Sequence, residues 1–236
     1  EISGNYYTFA VIEKFEYLGG KHDPERLVAY NKQFASYGNI YGRFDGAYAD
    51  RFNYWFEHIF KLLQYDPDTR QAVMTVYGPQ DRHESKDIPC TLHHQYFMRD
   101  GELHLLATMR SNGMLWGFPY DVNGFCFLQE VMASWLGIPV GTYTHIVGSM
   151  HIYMDNQERV DQLATAMISL DTNGKTNPVF NLNYEETKIA LPIFDAAERL
   201  LRTGKFKEAE NLATYLPDCL RAYLDILVTK WLPEEK

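Results

Sequence analysis

Residues 91–98 and 102–109 form two runs of eight, apolar and aromatic enough to pair, separated by Arg99-Asp100-Gly101. An Asp-Gly step supplies the positive backbone angles of a tight hairpin turn, so the spacing predicts two antiparallel strands in a defined register. A lone hairpin is marginal in water and needs more strands, or a helix, over one face. The sequence provides both. Residues 72–77 and 141–153 read as further strands. Phe52, Trp55, Phe56, Ile59, Phe60 and Leu63 recur at helical spacing after Asp50, an N-cap candidate. Residues 7–18 predict another helix, stopped by Gly19-Gly20, and residues 23–36 a mixed helical stretch before a Gly-, Asn- and Tyr-rich loop over 37–50. Strands and helices of this kind in one chain make an α+β fold.

Past a Gly-rich segment, Asp121 precedes a helix on which Leu128, Val131, Met132 and Trp135 share a face, and Gly137 with Pro139 ends it. On that pattern Asp121 reads as an ordinary N-cap. The carboxyl-terminal third predicts a helix over 156–170, a polar loop over 171–183, a helix opening at Pro192 and running to Arg202, and a helical run over 206–231. Ile193, Ala197, Leu200 and Leu201, with Leu220, Leu224, Ile226 and Leu227, read as a helical hairpin. The chain therefore divides at 155, into a core over 1–155 and a mainly helical extension over 156–236 packed on it.

A net charge of −9 over 236 residues argues against a nucleic-acid surface, which demands a cationic footprint. Any phosphate bound here should be a single group held by a few local arginines. No apolar run approaches the roughly 20 residues of a membrane span and no signal peptide is visible, so a soluble cytoplasmic protein is expected. Three cysteines, Cys90, Cys126 and Cys219, make an odd count without metal-ligand spacing, and no metal is expected. Cys126 and Cys219 read as small core residues. Cys90 follows Pro89 where a strand enters the fold, a position that also suits a buried structural thiol. His93 and His94, adjacent on a strand, must face opposite ways. His151 and Tyr153, two apart, project together, and a half-buried polar pair is their plain reading; for Glu13 and Glu16 it is a solvated helix face.

Taken together, these segments point further. Ile88-Pro89-Cys90-Thr91, Met109-Arg110-Ser111-Asn112, Gly117-Phe118-Pro119 and Gly148-Ser149-Met150-His151-Ile152-Tyr153 stand in the order and nearly the spacing of the thymidylate synthases, and the chain resembles within them the pyrimidine-nucleotide 5-hydroxymethylases. Upstream, Asp66-Pro67-Asp68-Thr69-Arg70 is similar to the family's Asn-Pro-Asp-Ser-Arg and Tyr41-Gly42 to its Tyr-Gly. The resemblance covers about residues 41–153, with a weaker match back to Glu13. It implies a thymidylate synthase-like mixed sheet with packed helices, in which Cys90 is the nucleophile that adds to carbon 6 of the pyrimidine. Arg110 and Ser111 would hold the nucleotide phosphate, and Arg70 would reach the site of a partner subunit in a homodimer. His151 and Tyr153 would contact the sugar, while Tyr41 and Glu13 would organise proton transfer. The one-carbon donor it implies is 5,10-methylenetetrahydrofolate.

Thiol addition turns carbon 5 into an enamine-like nucleophile, a position otherwise too electron-poor to attack a one-carbon donor. An arginine beside the thiol should favour the reactive thiolate. Asp121 stands where a thymidylate synthase has the asparagine that reads uracil. An amide can donate to the uracil carbonyl and accept from its ring N–H, whereas cytosine offers an amino donor beside a ring acceptor. A carboxyl accepts from the amino group and, if protonated, donates to the ring nitrogen. Thr91 after the cysteine and Asn112 after Arg-Ser also resemble the hydroxymethylase branch. The expected activity is 5-hydroxymethylation of a cytidine monophosphate, dCMP or CMP. Two alternatives stand: methylation of dUMP or UMP, and a nucleotide-binding protein without catalysis. Two departures bear on them. Gly113 occupies the place of an aspartate that contacts the folate pteridine, and Gln71 that of a second phosphate arginine. The family's amino-terminal phosphate loop has no counterpart either, so a leading segment lies outside the sequence or Arg43 substitutes.

Overall fold

A computed structural model describes residues 4–39, 41, 43–81, 85, 87–167 and 178–231. Gly42, residues 82–84 and 86 of the polar loop before Cys90, the expected last turn 168–170, and 171–177 of the expected loop lie outside the described residues.

The hairpin forms as its sequence requires. Strands β2 (Thr91–Arg99) and β3 (Glu102–Met109) pair antiparallel through a turn in which Asp100 and Gly101 both have positive φ, 54° and 79°. A register shift between Thr91 and His93 makes Thr91 and His94, three apart, both point into the core. His94 is fully buried while His93 is only half-buried, the opposed facing expected of neighbours on a strand. Burial pushes the His94 imidazole down to about 3, so it stays neutral. The short β1 (Val73–Thr75) adds antiparallel to β2, and β5 (Val140–Val147) adds parallel to β3, giving a mixed sheet of order β1-β2-β3-β5.

Three helices pack beside the sheet, the last two of them against its strands and the first against those two helices. They are α1 (Gly4–Gly19), α3 (Tyr48–Tyr65) and α4 (Gly117–Leu136), with α2 (Pro24–Tyr30) and a 3₁₀ turn (Lys32–Tyr37) following α1. In α3 the expected stripe turns inward, with Phe52, Phe56, Ile59, Phe60 and Leu63 buried and Trp55 half-buried. That helix begins one turn earlier than its sequence advertises: Ala47 is the N-cap and Asp50 lies in the first turn. The same correction applies to α4. It opens at Gly117 from an N-cap at Trp116 without a side-chain cap, so Asp121 is an interior helical residue and not an N-cap. Pro119 conceals this start, because a first-turn proline forfeits no helical hydrogen bond.

The strand expected over 141–153 is interrupted. At Gly148 the chain passes so close to Arg110 that a Cβ would stand 3.0 Å from its carbonyl oxygen, and β5 ends there. Met150–His151 instead forms β6, paired parallel with β4 (Asn112–Gly113) in a separate two-stranded sheet, and Tyr153 lies beyond it.

The carboxyl-terminal helices share the core of α1. After a 3₁₀ turn (Met154–Asn156) and α5 (Gln157–Met167) come α6 (Tyr184–Arg202), α7 (Phe206–Ala213) and α8 (Asp218–Trp231). Phe15 of α1 stacks on Phe194 at 3.9 Å and meets Tyr223 edge-on at 5.3 Å. Arg26 of α2 donates a hydrogen bond to Asp195 at 3.1 Å and forms an ion pair with Glu198 at 3.3 Å, which ties α6 to the amino-terminal helices. Pro192 lies inside α6, which starts eight residues earlier at a capping box of Asn183 and Glu186. Pro192 is exposed, so water can serve the carbonyl that its missing N–H leaves free. The single run expected over 206–231 is two helices, broken before Pro217. Among the described residues no helix is long and apolar enough to cross a membrane, and no group of three or more His, Cys, Asp or Glu is placed to hold a metal.

Candidate functional site

Cys90 sits where β2 enters the sheet, and two devices hold it. The Tyr48 hydroxyl, from the first turn of α3, accepts hydrogen bonds from the Cys90 and Thr91 backbone N–H groups at 3.2 and 3.1 Å. From the end of β3, the Arg110 guanidinium donates to the Pro89 carbonyl at 2.9 Å through Nε and to the Ile88 carbonyl at 3.0 Å through Nη2. Arg110 is nonetheless exposed, so it fixes the approach to Cys90 and still presents a cationic edge outward. Sequence reasoning assigned the thiol a depressed pKa because of this arginine. The structure corrects that: burial pushes the Cys90 thiol up, Arg110 pulls it down, and Asp121 and Asp87 push it up again, with a net rise.

The parallel pairing of β4 with β6 sets Asn112 opposite Met150 and Gly113 opposite His151. Ser111 Oγ thereby comes within 3.4 Å of His151 Nδ1, and the Tyr153 ring stands edge-on to His151 at 4.9 Å. Ser111, His151 and Tyr153 therefore line one exposed edge, Tyr153 at 62% exposure. Gly113 leaves that edge open, since a Cβ there would meet only His151 Nε2 at 3.6 Å and the Gly117 nitrogen at 4.0 Å.

The floor is acidic. Burial pushes the Glu13 carboxyl on α1 up to about 7, a hydrogen bond from Tyr17 pulls it back, and Glu16 adds to the rise. Asp121 on α4 is pushed well above the usual carboxylate range by burial and by the charge of Glu13, while a hydrogen bond from Asn112 opposes the rise. Two neighbouring carboxyls whose protons are held so tightly are what proton transfer near neutral pH requires. Asn112 reaches Asp121 because residue 117 is glycine: a Cβ there would stand 2.5 Å from Asn112 Oδ1. Beyond it, Asn112 Nδ2 lies 3.2 Å from His145 Nε2, and His145 Nδ1 lies 2.5 Å from the Tyr143 hydroxyl.

The structure does not gather every expected residue. Tyr41 is 80% exposed and its one described hydrogen bond is from its backbone N–H to Asn39 Oδ1, so nothing seats its ring in the site. Arg70 is exposed beside β1 and, among the described residues, engages only through its carbonyl, which accepts from Gln95. Arg43 is exposed in the same loop as Tyr41. Cys126, expected in the core, instead lines a cavity of about 340 Å³ together with Lys14, Val122 and Glu130. Three residues that sequence reasoning passed over line the candidate site, Tyr48, Tyr143 and His145, and Asn112, read there only as a mark of the hydroxymethylase branch, joins them. Tyr143 and His145 carried a signal, since residues two apart on a strand share a face. Tyr48 carried none, because its partners lie 42 and 43 residues away.

Comparison with known proteins accords with this arrangement. The thymidylate synthase family profile matches residues 21–196. A deoxyuridylate hydroxymethyltransferase of Bacillus phage SP01 is 32% identical over 167 residues, covering 63% of this chain and 44% of that protein. The thermostable thymidylate synthase A of Bacillus subtilis has the same fold, with a TM-score of 0.56 at 21% identity over 67% of this chain and 61% of its own. The chain thus spans less than half the length of the hydroxymethyltransferase that it matches. With its mixed sheet, its packed helices and a profile match over most of its length, the chain belongs to the thymidylate synthase family.

Proposed function

We propose that this protein transfers a one-carbon unit from methylenetetrahydrofolate to carbon 5 of a cytidine monophosphate, dCMP or CMP, and that water completes a 5-hydroxymethyl product. Residues 1–155 carry the reacting groups and 156–236 support them. The observation that carries the reading is Asp121, an acid held within the floor of the site, close enough to raise the Cys90 thiol and bonded by Asn112. A carboxyl there that keeps its proton can accept from the cytosine amino group and donate to the ring nitrogen.

Arg110 and Ser111 hold the phosphate, and His151 and Tyr153 contact the sugar. The Cys90 sulfur adds to carbon 6, and the electron pair of the 5,6 double bond moves to carbon 5. Glu13, titrating near 7, moves the proton that leaves carbon 5, and Tyr41 is assigned by the resemblance to the same proton transfer. The family uses methylenetetrahydrofolate as co-substrate. Met114 and Trp116, large side chains left exposed beside the open edge at Gly113, fit the flat face of such a molecule. When bound, it supplies a carbon at the oxidation level of formaldehyde.

Arg70, exposed and unengaged through its side chain among the described residues, fits a role across a homodimer interface. The second reading, the same chemistry on dUMP or UMP, is favoured by the name of the phage relative. Titration with CMP, dCMP, UMP and dUMP decides between them. The cytosine nucleotides should bind more tightly, and Asp121→Ala should bring the ratio close to one while sparing ribose 5-phosphate. Equal or tighter uracil binding by the wild-type protein would overturn the cytosine assignment.

A further inference from the structure

The pair of helices α1 and α4 carries a second set of ionisable groups, turned away from the nucleotide site. Lys14 follows Glu13 and so points about 100° from it around α1, while Cys126 and Glu130 stand about 140° and 180° from Asp121 around α4. These three share the wall of the 340 Å³ cavity with the apolar Phe118, Val122 and Phe127. Its volume is at the lower end of the range for small-molecule sites. The cavity takes no part in the proposed reaction.

Lys14 is buried, with 2% of its surface exposed, and its ammonium lies over the Phe127 and Tyr223 rings at 5.4 and 5.3 Å. Ring faces attract a cation but do not take the place of acceptors for three N–H donors. Among the described residues no hydrogen bond or ion pair reaches that ammonium. Across the cavity wall, Glu130 Oε1 accepts the Phe180 N–H at 2.8 Å, and the other carboxylate oxygen has no hydrogen bond among the described residues. Lys14 and Glu130 each act on the other's titration without forming an ion pair. Two opposite charges thus share one cavity and do not meet, and a buried charge is costly to keep without a partner.

We propose that this cavity is a binding site for a small zwitterion, an α-amino acid with an apolar side chain. Its carboxylate pairs with Lys14, its ammonium donates to Glu130, and its side chain lies against Phe118, Val122 and Phe127. A carboxylic acid alone would satisfy Lys14 but bring a second negative charge towards Glu130, and an amine alone would do the reverse at Lys14. A molecule that carries both charges matches both walls, and the apolar remainder of the lining disfavours a third. The other groups that face Lys14 add no charge: burial pushes the Cys126 thiol up to about 11, and the Tyr223 hydroxyl on α8, also raised by burial, donates to the Pro178 carbonyl at 2.7 Å. Burial lowers Lys14 to about 8 and raises Glu130, the directions expected of charges that lack a close partner, and a bound zwitterion opposes both.

Calorimetry and thermal unfolding of the full chain test this with L-valine, L-leucine, L-methionine and L-phenylalanine. At least one should bind and raise the Tm. Its analogues lacking either charged group, for leucine 4-methylpentanoate and 3-methylbutylamine, should each bind at least about tenfold more weakly, the size of one charge-assisted contact. Lys14→Met, which has similar length and no charge, should be no less stable than wild type without ligand and should lose amino-acid binding. Glu130→Gln keeps an oxygen for the Phe180 N–H. It should weaken the amino acid about tenfold and leave the carboxylic acid unimpaired, and it judges the site on its own should Lys14→Met not fold. Absence of binding by all four amino acids at about 10 mM overturns the proposal and leaves a cavity that holds only water. So does full affinity in Lys14→Met or in Glu130→Gln, or a carboxylic acid that binds as tightly as its amino acid.

Discussion

Replacing Glu13 by glutamine should make the protein more stable and less active, with a pH dependence that identifies the cause. The Glu13 carboxyl is pushed from 4.5 to about 7, chiefly by burial. Below pH 4.5 the group is protonated in both folded and unfolded chains and costs nothing. Between 4.5 and 7 the folded chain binds more protons than the unfolded one, so stability falls as pH rises; above 7 the full cost is present. A shift of that size corresponds to about 3 kcal/mol. Glutamine keeps the shape and an oxygen for the Tyr17 hydroxyl but never ionises, and it also removes the repulsion that lifts Asp121. Urea denaturation across pH 4 to 9 should therefore show Glu13→Gln level with wild type at the acid end and more stable by about 3 kcal/mol above pH 7.5. Turnover should fall by roughly 10²- to 10⁴-fold, the usual range for loss of a proton-transfer group. A stability difference that does not vary with pH, or a variant less stable than wild type at pH 8, would refute the reasoning.

Tyr48→Phe removes the acceptor shared by the Cys90 and Thr91 N–H groups and should cost roughly 2–4 kcal/mol, at the lower end because both bonds exceed 3 Å. Denaturation measures the loss, and slower alkylation of Cys90 by iodoacetamide should not accompany it, since Tyr48 positions the strand and does not shield the sulfur. Arg70→Ala and Cys90→Ala, each inactive alone, should regain part of the activity when mixed under conditions of subunit exchange; no recovery with exchange confirmed would count against a site shared between subunits.

The parts of the fold legible in the sequence are those fixed by near neighbours. Asp100-Gly101 and the alternation on either side specify the hairpin, and the spacing from Phe52 to Leu63 specifies the buried stripe of α3. Proline misled twice for one reason. It is tolerated in a first turn and, when exposed, within a helix, so Pro119 hid the start of α4 and Pro192 imitated the start of α6. The proposed reacting groups rest on the family resemblance, which runs through Cys90, Arg110, Ser111, Asp121 and His151. What orients them could not be read from it. Asn112 meets His145 across 33 residues, and only the parallel pairing of β3 with β5 and of β4 with β6 brings those segments side by side.

The same pairing explains why the phosphate and the nucleophile are linked in the proposed reaction. Two of the five guanidinium N–H groups of Arg110 are engaged by the Pro89 and Ile88 carbonyls, which leaves the outer part of the fork for a phosphate. The Arg110 backbone N–H also donates to the Cys90 carbonyl at 2.9 Å, so the residue that would grip the phosphate is bonded on both sides of the attacking sulfur. A phosphate drawn to Arg110 cannot settle without fixing the 88–90 segment. Yet burial holds the Cys90 thiol above its ordinary pKa, with Arg110 alone among the named causes pulling down. Substrate charge at Arg110 weakens that pull, so activation of the thiol has to come from seating the base against Asp121, which keeps that acid in its neutral, protonated form beside Cys90. Binding energy from both ends of the nucleotide is thereby spent at the reacting centre, and a base-free sugar phosphate should bind without making Cys90 more reactive.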